Sequence, residues 1–143
     1  MVKTAYPTAQ DAENAFYEAL ERGDLDTMMA VWAEYEAIVC VHPGGPRLAG
    51  HAQVRDSWRR LFSVGGTRIH VSHRVALQAM LITVHSVHET TATPGGKRDA
   101  VTVAATNVFL RTATGWRMIL HHASHGPGQQ EGGRPEAPPK ILH

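Results

Sequence analysis

The chain changes its hydrophobic period once, and that change constrains the fold more than any other feature. Before Gly65-Gly66 the apolar residues recur at helical spacing, and after it they alternate as in strands. Ala12, Ala15, Phe16, Ala19 and Leu20 form one stripe, with Thr8 as its N-cap and Gly23 beyond its end. Asp24 caps a second helix carrying Leu25, Met28, Met29 and Trp32. A short apolar run, Ile38 to Val41, reads as a strand and ends in the turn His42-Pro43-Gly44-Gly45-Pro46. A third helix follows Gly50, with Val54, Trp58, Leu61 and Phe62 on its face. Four long strands come next: Arg68 to Gln78, Met80 to Thr91, Ala100 to Arg111 and Trp116 to Ser124. Pro94-Gly95-Gly96-Lys97 and Thr114-Gly115 are the turns that connect them.

Helices first and a meander afterwards predict an α+β fold, in which a curved antiparallel sheet wraps around three N-terminal helices. With 143 residues the chain forms one domain over 1–125, followed by a Gly/Pro-rich tail or arm over 126–143. Its net charge of +1 provides no basic face for nucleic acid. It contains no apolar run long enough for a membrane helix. The single cysteine, Cys40, excludes an internal disulfide and suits a reducing, cytoplasmic setting.

The order of elements resembles the nuclear transport factor 2-like superfamily, and within it the SnoaL-like and ketosteroid-isomerase-like bacterial proteins. The resemblance rests on Ala19-Leu20-Glu21-Arg22-Gly23-Asp24-Leu25-Asp26, on Leu48-Ala49-Gly50, and on the closing strand Gly115 to Ser124. It implies a cone-shaped roll with a pocket for a small apolar or amphipathic ligand, no cofactor, and a homodimer through the outer sheet face. Thr102, Ala104, Thr106, Val108 and Leu110 are the residues expected on that face. The resemblance points to an isomerase, lyase or cyclase, or to a non-catalytic binding or assembly domain.

Ten histidines draw attention, but no metal-binding spacing accompanies them, so no metal is expected. His42 stands where the steroid isomerases carry their proton-moving aspartate, and an imidazole titrating near neutrality can serve as a general base. Phe16 falls at the place of the oxyanion-hole tyrosine, with Tyr17 one residue and 100° away. Asn107 falls at the place of the protonated aspartate, so steroid isomerisation by that mechanism is not expected. Trp116, Met118, Leu120 and His122 share strand parity, which turns His122 inward. Phe16, Tyr17, Trp32, Trp58, His85 and Phe109 are the expected pocket lining. His85 and Glu89 share a strand face but stand too far apart for a dyad. His70 and His88 are expected at the surface.

Overall fold

The computed structural model describes residues 5–93 and 96–125, so the tail over 126–143 and the turn residues 94–95 lie outside the described residues. Helix α1 spans Ala9–Arg22. Thr8 Oγ1 accepts the Asp11 N–H at its start, and Gly23 ends it in the left-handed region at φ 66°. Helix α2, Leu25–Val31, is capped by the Asp24 carboxylate, which accepts from the Thr27 N–H at 3.1 Å. Helix α3 spans His51–Phe62.

Six strands follow the order β2-β1-β6-β5-β4-β3. They are β1 Val39–Val41, β2 Arg47–Ala49, β3 Ile69–Gln78, β4 Ile82–Thr93, β5 Gly96–Thr112 and β6 Gly115–Ser124. The last four form the expected antiparallel meander. Thr93 pairs with Gly96, which is the register of a hairpin across 94–95. The sequence pattern did not show β2, whose three residues follow the Pro-Gly-rich loop. It also did not show that β1 runs parallel to β6. The result is an α+β roll, with the three helices against the inner face of one curved, unclosed sheet.

Phe16, Met28, Trp32, Ile38, Trp58, Phe109 and Met118 form the core between helices and sheet. A second, smaller group of Val87, Val103, Ala105 and Ala123 continues the inner face toward the sheet's other end. No described helix is long and apolar enough to cross a membrane.

One parity expectation is corrected. His122 lies exposed on the outer face, and His121 is the buried neighbour, 3% accessible. The cause is a bulge in β6. Val108 pairs with Leu120 and Phe109 with Met118, which leaves Ile119 as an extra residue. An extra residue inverts the alternation beyond it. Met118 is therefore inward on one side of the bulge, and His121 and Ala123 on the other.

Gly66 seals the junction between α1 and β3. A Cβ there would stand 2.1 Å from the Glu21 carbonyl oxygen, which is backbone that cannot swing aside. Gly66→Ala should lower stability by about 1–3 kcal/mol, as overpacking does, measured by urea unfolding. A loss near zero would show that the junction yields freely.

Candidate functional site

The inner face of the sheet carries a polar row. His85 on β4 pairs with Asn107 on β5, which pairs with His121 on β6, which pairs with Cys40 on β1. Helix α1 lays Glu13 and Tyr17, one turn apart, across this row. Glu13 is fully buried. Its Oε1 accepts from Arg74 Nε at 2.8 Å, and its Oε2 accepts from Asn107 Nδ2 at 2.9 Å. His85 Nδ1 also lies 3.0 Å from Glu13 Oε2, but off the line of a hydrogen bond.

Asn107 Nδ2 donates a second bond to the Tyr17 hydroxyl at 3.0 Å, and Tyr17 donates in turn to Glu89 Oε2 at 2.5 Å. With both amide hydrogens used in this way, Asn107 Oδ1 is an acceptor. His121 Nδ1, 2.6 Å away, must therefore carry the proton. That leaves His121 Nε2 as a lone pair, 3.9 Å from Glu89 Oε2. The small apolar side chains of Val103, Ala105 and Ala123 continue the inner face beside Glu89 and His121.

The two buried carboxylates differ. Glu13 has the Arg74 guanidinium against it. Among the described residues no lysine or arginine forms an ion pair with Glu89. Burial, reinforced by the Glu13 charge, pushes the Glu89 carboxyl above its usual range, against the pull of the Tyr17 hydrogen bond. Tyr17 is pushed up as well, by burial and then by Glu89, and keeps its proton. Burial pulls the His121 imidazole down to about 3, helped by its neighbours His42 and His122.

His42 is half-buried where β1 ends. Its Nε2 lies 2.6 Å from Ser57 Oγ and 3.8 Å from Cys40 Sγ, and its ring meets Trp58 edge-on at 4.7 Å. Burial lowers its pKa, so it is held neutral. Burial pushes the Cys40 thiol up to about 12, so it is no nucleophile.

Of the expected pocket residues, Phe16 meets Tyr17 and Trp58 edge-on and His121 at a tilt. Phe109 meets His85 at 5.3 Å. Trp32 lies in the core, its backbone bridging to Met118. Trp58 Nε1 and Trp32 Nε1 are buried without a hydrogen-bond partner among the described residues. A cavity of about 400 Å³, lined by Thr8, Gln10, Arg74, Thr83, His85 and Trp116 among others, reaches the polar row at its Arg74–His85 end.

Tyr17, one residue and 100° from Phe16, faces the sheet as well. The face that α1 turns to the sheet is wide enough to hold Phe16 against the core and Tyr17 against β4 and β5. Glu13, Arg74 and His121 were not singled out from the sequence. The available signal was Glu13 itself, a carboxylate between Ala12 and Phe16 on a core-facing stripe.

The depressed His121 gives a test of pH dependence. Unfolded, this imidazole titrates near 6.5, and folded, near 3. Its stabilising share is full above the unfolded value and lost as pH falls through that window, about 2 kcal/mol between pH 7.5 and 5. Glu89, raised in the folded state, acts oppositely, losing stability as pH rises above about 4.5. His121→Gln should therefore remove a pH-dependent loss that the native protein shows. Urea unfolding at both pH values measures it, and equal slopes in the two proteins would contradict it.

A family model described as a SnoaL-like domain matches residues 10–127. No curated protein matches the chain. Among solved structures, a proposed calcium/calmodulin-dependent protein kinase type II association domain from Thiobacillus denitrificans is 39% identical. That alignment covers 85% of this chain and 98% of that one, with TM-score 0.80. A proposed dehydratase of the nuclear transport factor 2-like family from Streptomyces avermitilis is 32% identical, over 80% and 91% of the two chains, with TM-score 0.72. A Nostoc punctiforme protein of unknown function with a cystatin-like fold is 15% identical over 87% and 97%, with TM-score 0.70, a likeness of fold alone. With its helices inside a curved sheet and a family match over most of its length, the chain belongs to the SnoaL-like family of the nuclear transport factor 2-like superfamily.

Proposed function

We propose that this protein is a cofactor-independent acid–base enzyme acting on a small apolar or amphipathic carbonyl compound, of the lyase or isomerase type. The observation that carries this reading is Glu89, a buried carboxylate with a raised pKa, held by Tyr17 rather than by a cation. A base whose pKa is lifted toward neutrality is matched to removing a proton from carbon beside a carbonyl. The relative named as a proposed dehydratase supports the class.

The geometry supports the following sequence. Glu89 takes the proton, and the electron pair moves onto the carbonyl oxygen as an enolate. Tyr17 no longer needs to donate to the neutral Glu89, and turns its O–H to that oxygen. Glu89 then returns the proton, to a neighbouring carbon in an isomerisation or to a β-hydroxyl that leaves as water in a dehydration. His121 stays neutral, its Nε2 free to accept a hydrogen bond from substrate. Asn107 is a positioning residue for both Tyr17 and His121. His42, expected as the base, is here an orienting group bound to Ser57.

An assembly role has its own support. The relative at 39% identity is named as an association domain. The outer face carries Thr102, Ala104, Thr106, Val108 and Leu110 between the buried positions of β5. Val75 and Leu77, each 68% exposed, extend it across β3. We infer a homodimer through this face. Leu77→Asp should shift the protein toward monomer in analytical ultracentrifugation, and a dimer unchanged by that variant would place the contact elsewhere.

Washout of carbon-bound hydrogen beside the carbonyl of a panel of β-hydroxy ketones and thioesters, followed by NMR in D₂O, tests the chemistry. Glu89→Gln should lower exchange by about 10²–10⁴-fold, the range for a lost general base. His42→Ala should lower it less than tenfold. The native rate should fall as pH drops below the raised Glu89 value, because the acting form is the carboxylate. Exchange that survives Glu89→Gln in a folded protein would overturn the assignment.

A further inference from the structure

The outer face holds a second cluster of imidazoles that the acid–base centre does not use. The register of β3 on β4 breaks between Ser72 and Val75, so His73 and Arg74 form a bulge. His73 takes φ 53° there, and among the described residues it is the only non-glycine in that region. The left-handed conformation strains a residue with a Cβ, and such strain concentrates where a side chain must be aimed. Here it aims the His73 ring at His88, which faces outward opposite Ser72 on β4. The two ring centroids are 4.9 Å apart with the planes at 35°.

That separation fits chelation. A metal–nitrogen bond of about 2.0–2.1 Å, plus about 1.1 Å from nitrogen to ring centre, puts two cis imidazole centroids roughly 4.5–5.2 Å apart for angles of about 90–109°. His73 Nδ1 lies 3.0 Å from Ser72 Oγ, and with Nδ1–H donating to that hydroxyl the Nε2 lone pair is left outward. Both rings are exposed in the single chain.

We propose that His73 and His88 form a surface site for a borderline divalent transition cation such as Zn²⁺, Cu²⁺ or Ni²⁺. Imidazole suits these ions over Mg²⁺ or Ca²⁺, which take oxygen ligands. No third histidine, cysteine or carboxylate joins the pair among the described residues, so water, or a donor from the second copy where the homodimer proposed above covers His88 opposite Ala104, fills the remaining positions. The site shares no side chain with the acid–base centre, which faces the other side of the sheet.

The test separates the ion from the strain. Titration of the full chain with ZnCl₂ and with NiCl₂ at pH 7.5, followed by calorimetry, should show a site at no more than one ion per chain. His88→Ala should weaken it at least tenfold. His73→Gly should do the same while leaving the metal-free melting temperature unchanged or higher, because glycine accepts φ 53° without strain. His70→Ala, His125→Ala and His143→Ala are the controls, each expected to retain binding. Substituting Mg²⁺ should give no heat of binding. Absence of Zn²⁺ and Ni²⁺ binding by the native chain would overturn the proposal. So would binding that persists unchanged in the His73→Gly, His88→Ala double variant, because the ion would then lie elsewhere.

Discussion

The carboxylate of Glu13, fully buried under α1, is the contact on which the rest of the interior depends. A charge removed from water has to be met by partners, and it is met from β3 by Arg74 and from β5 by Asn107. Those two bonds tie the helix to the sheet at a fixed rotation and height. They also decide which way the Asn107 amide points. Once its nitrogen is committed to Glu13, its oxygen can only accept, so His121 must present Nδ1–H. The same nitrogen holds the Tyr17 oxygen, so the Tyr17 proton is free for Glu89. One buried carboxylate thus sets the hydrogen-bond polarity of four other side chains, Asn107, His121, Tyr17 and Glu89.

Such an interior costs stability relative to an all-apolar one, and the cost falls unevenly. Phe16, Trp58 and Phe109 pack normally on either side of the polar row. Burial instead shifts the two groups beside it, raising the Glu89 carboxyl and lowering the His121 imidazole. Such shifts suit the proton transfer proposed above for this site. In Cys40, by contrast, burial only makes the thiol inert.

The helices and the meander were legible because local signals specify them. Thr8, Gly23 and Asp24 are caps wherever they occur, and the stripes they bound are long. The outer positions of β5 were legible for the same reason, through unbroken alternation from Val101 to Leu110. What could not be read was any feature set by pairing with a distant strand. The extra residue at Ile119 exists only relative to Val108 and Phe109, and it exchanges His121 for His122 at the interior. Likewise β2 is a strand only because β1 is beside it. Tyr17 reaches the sheet beside Phe16 because a helix face is a sector rather than a line. Glu89 shared its strand parity with His85, as read, but nothing local could show that Tyr17 would reach it.

The two bulges share one physical logic. A regular sheet permits only alternate residues on each side, so a strand with a useful side chain at the wrong parity must gain or lose a residue. In β6 the irregularity brings His121 inward to meet Asn107, while Met118 keeps its place in the core. In β3 the irregularity turns His73 outward to His88 and, within the same two residues, sends Arg74 inward to Glu13. The inner and outer faces are therefore coupled through β3. The strain accepted at His73 also positions the guanidinium that neutralises the buried carboxylate under α1. For that reason the bulge cannot be regularised by substitution at one residue without disturbing both faces, and His73→Gly, which keeps the backbone turn while removing the ring, is the change that separates them.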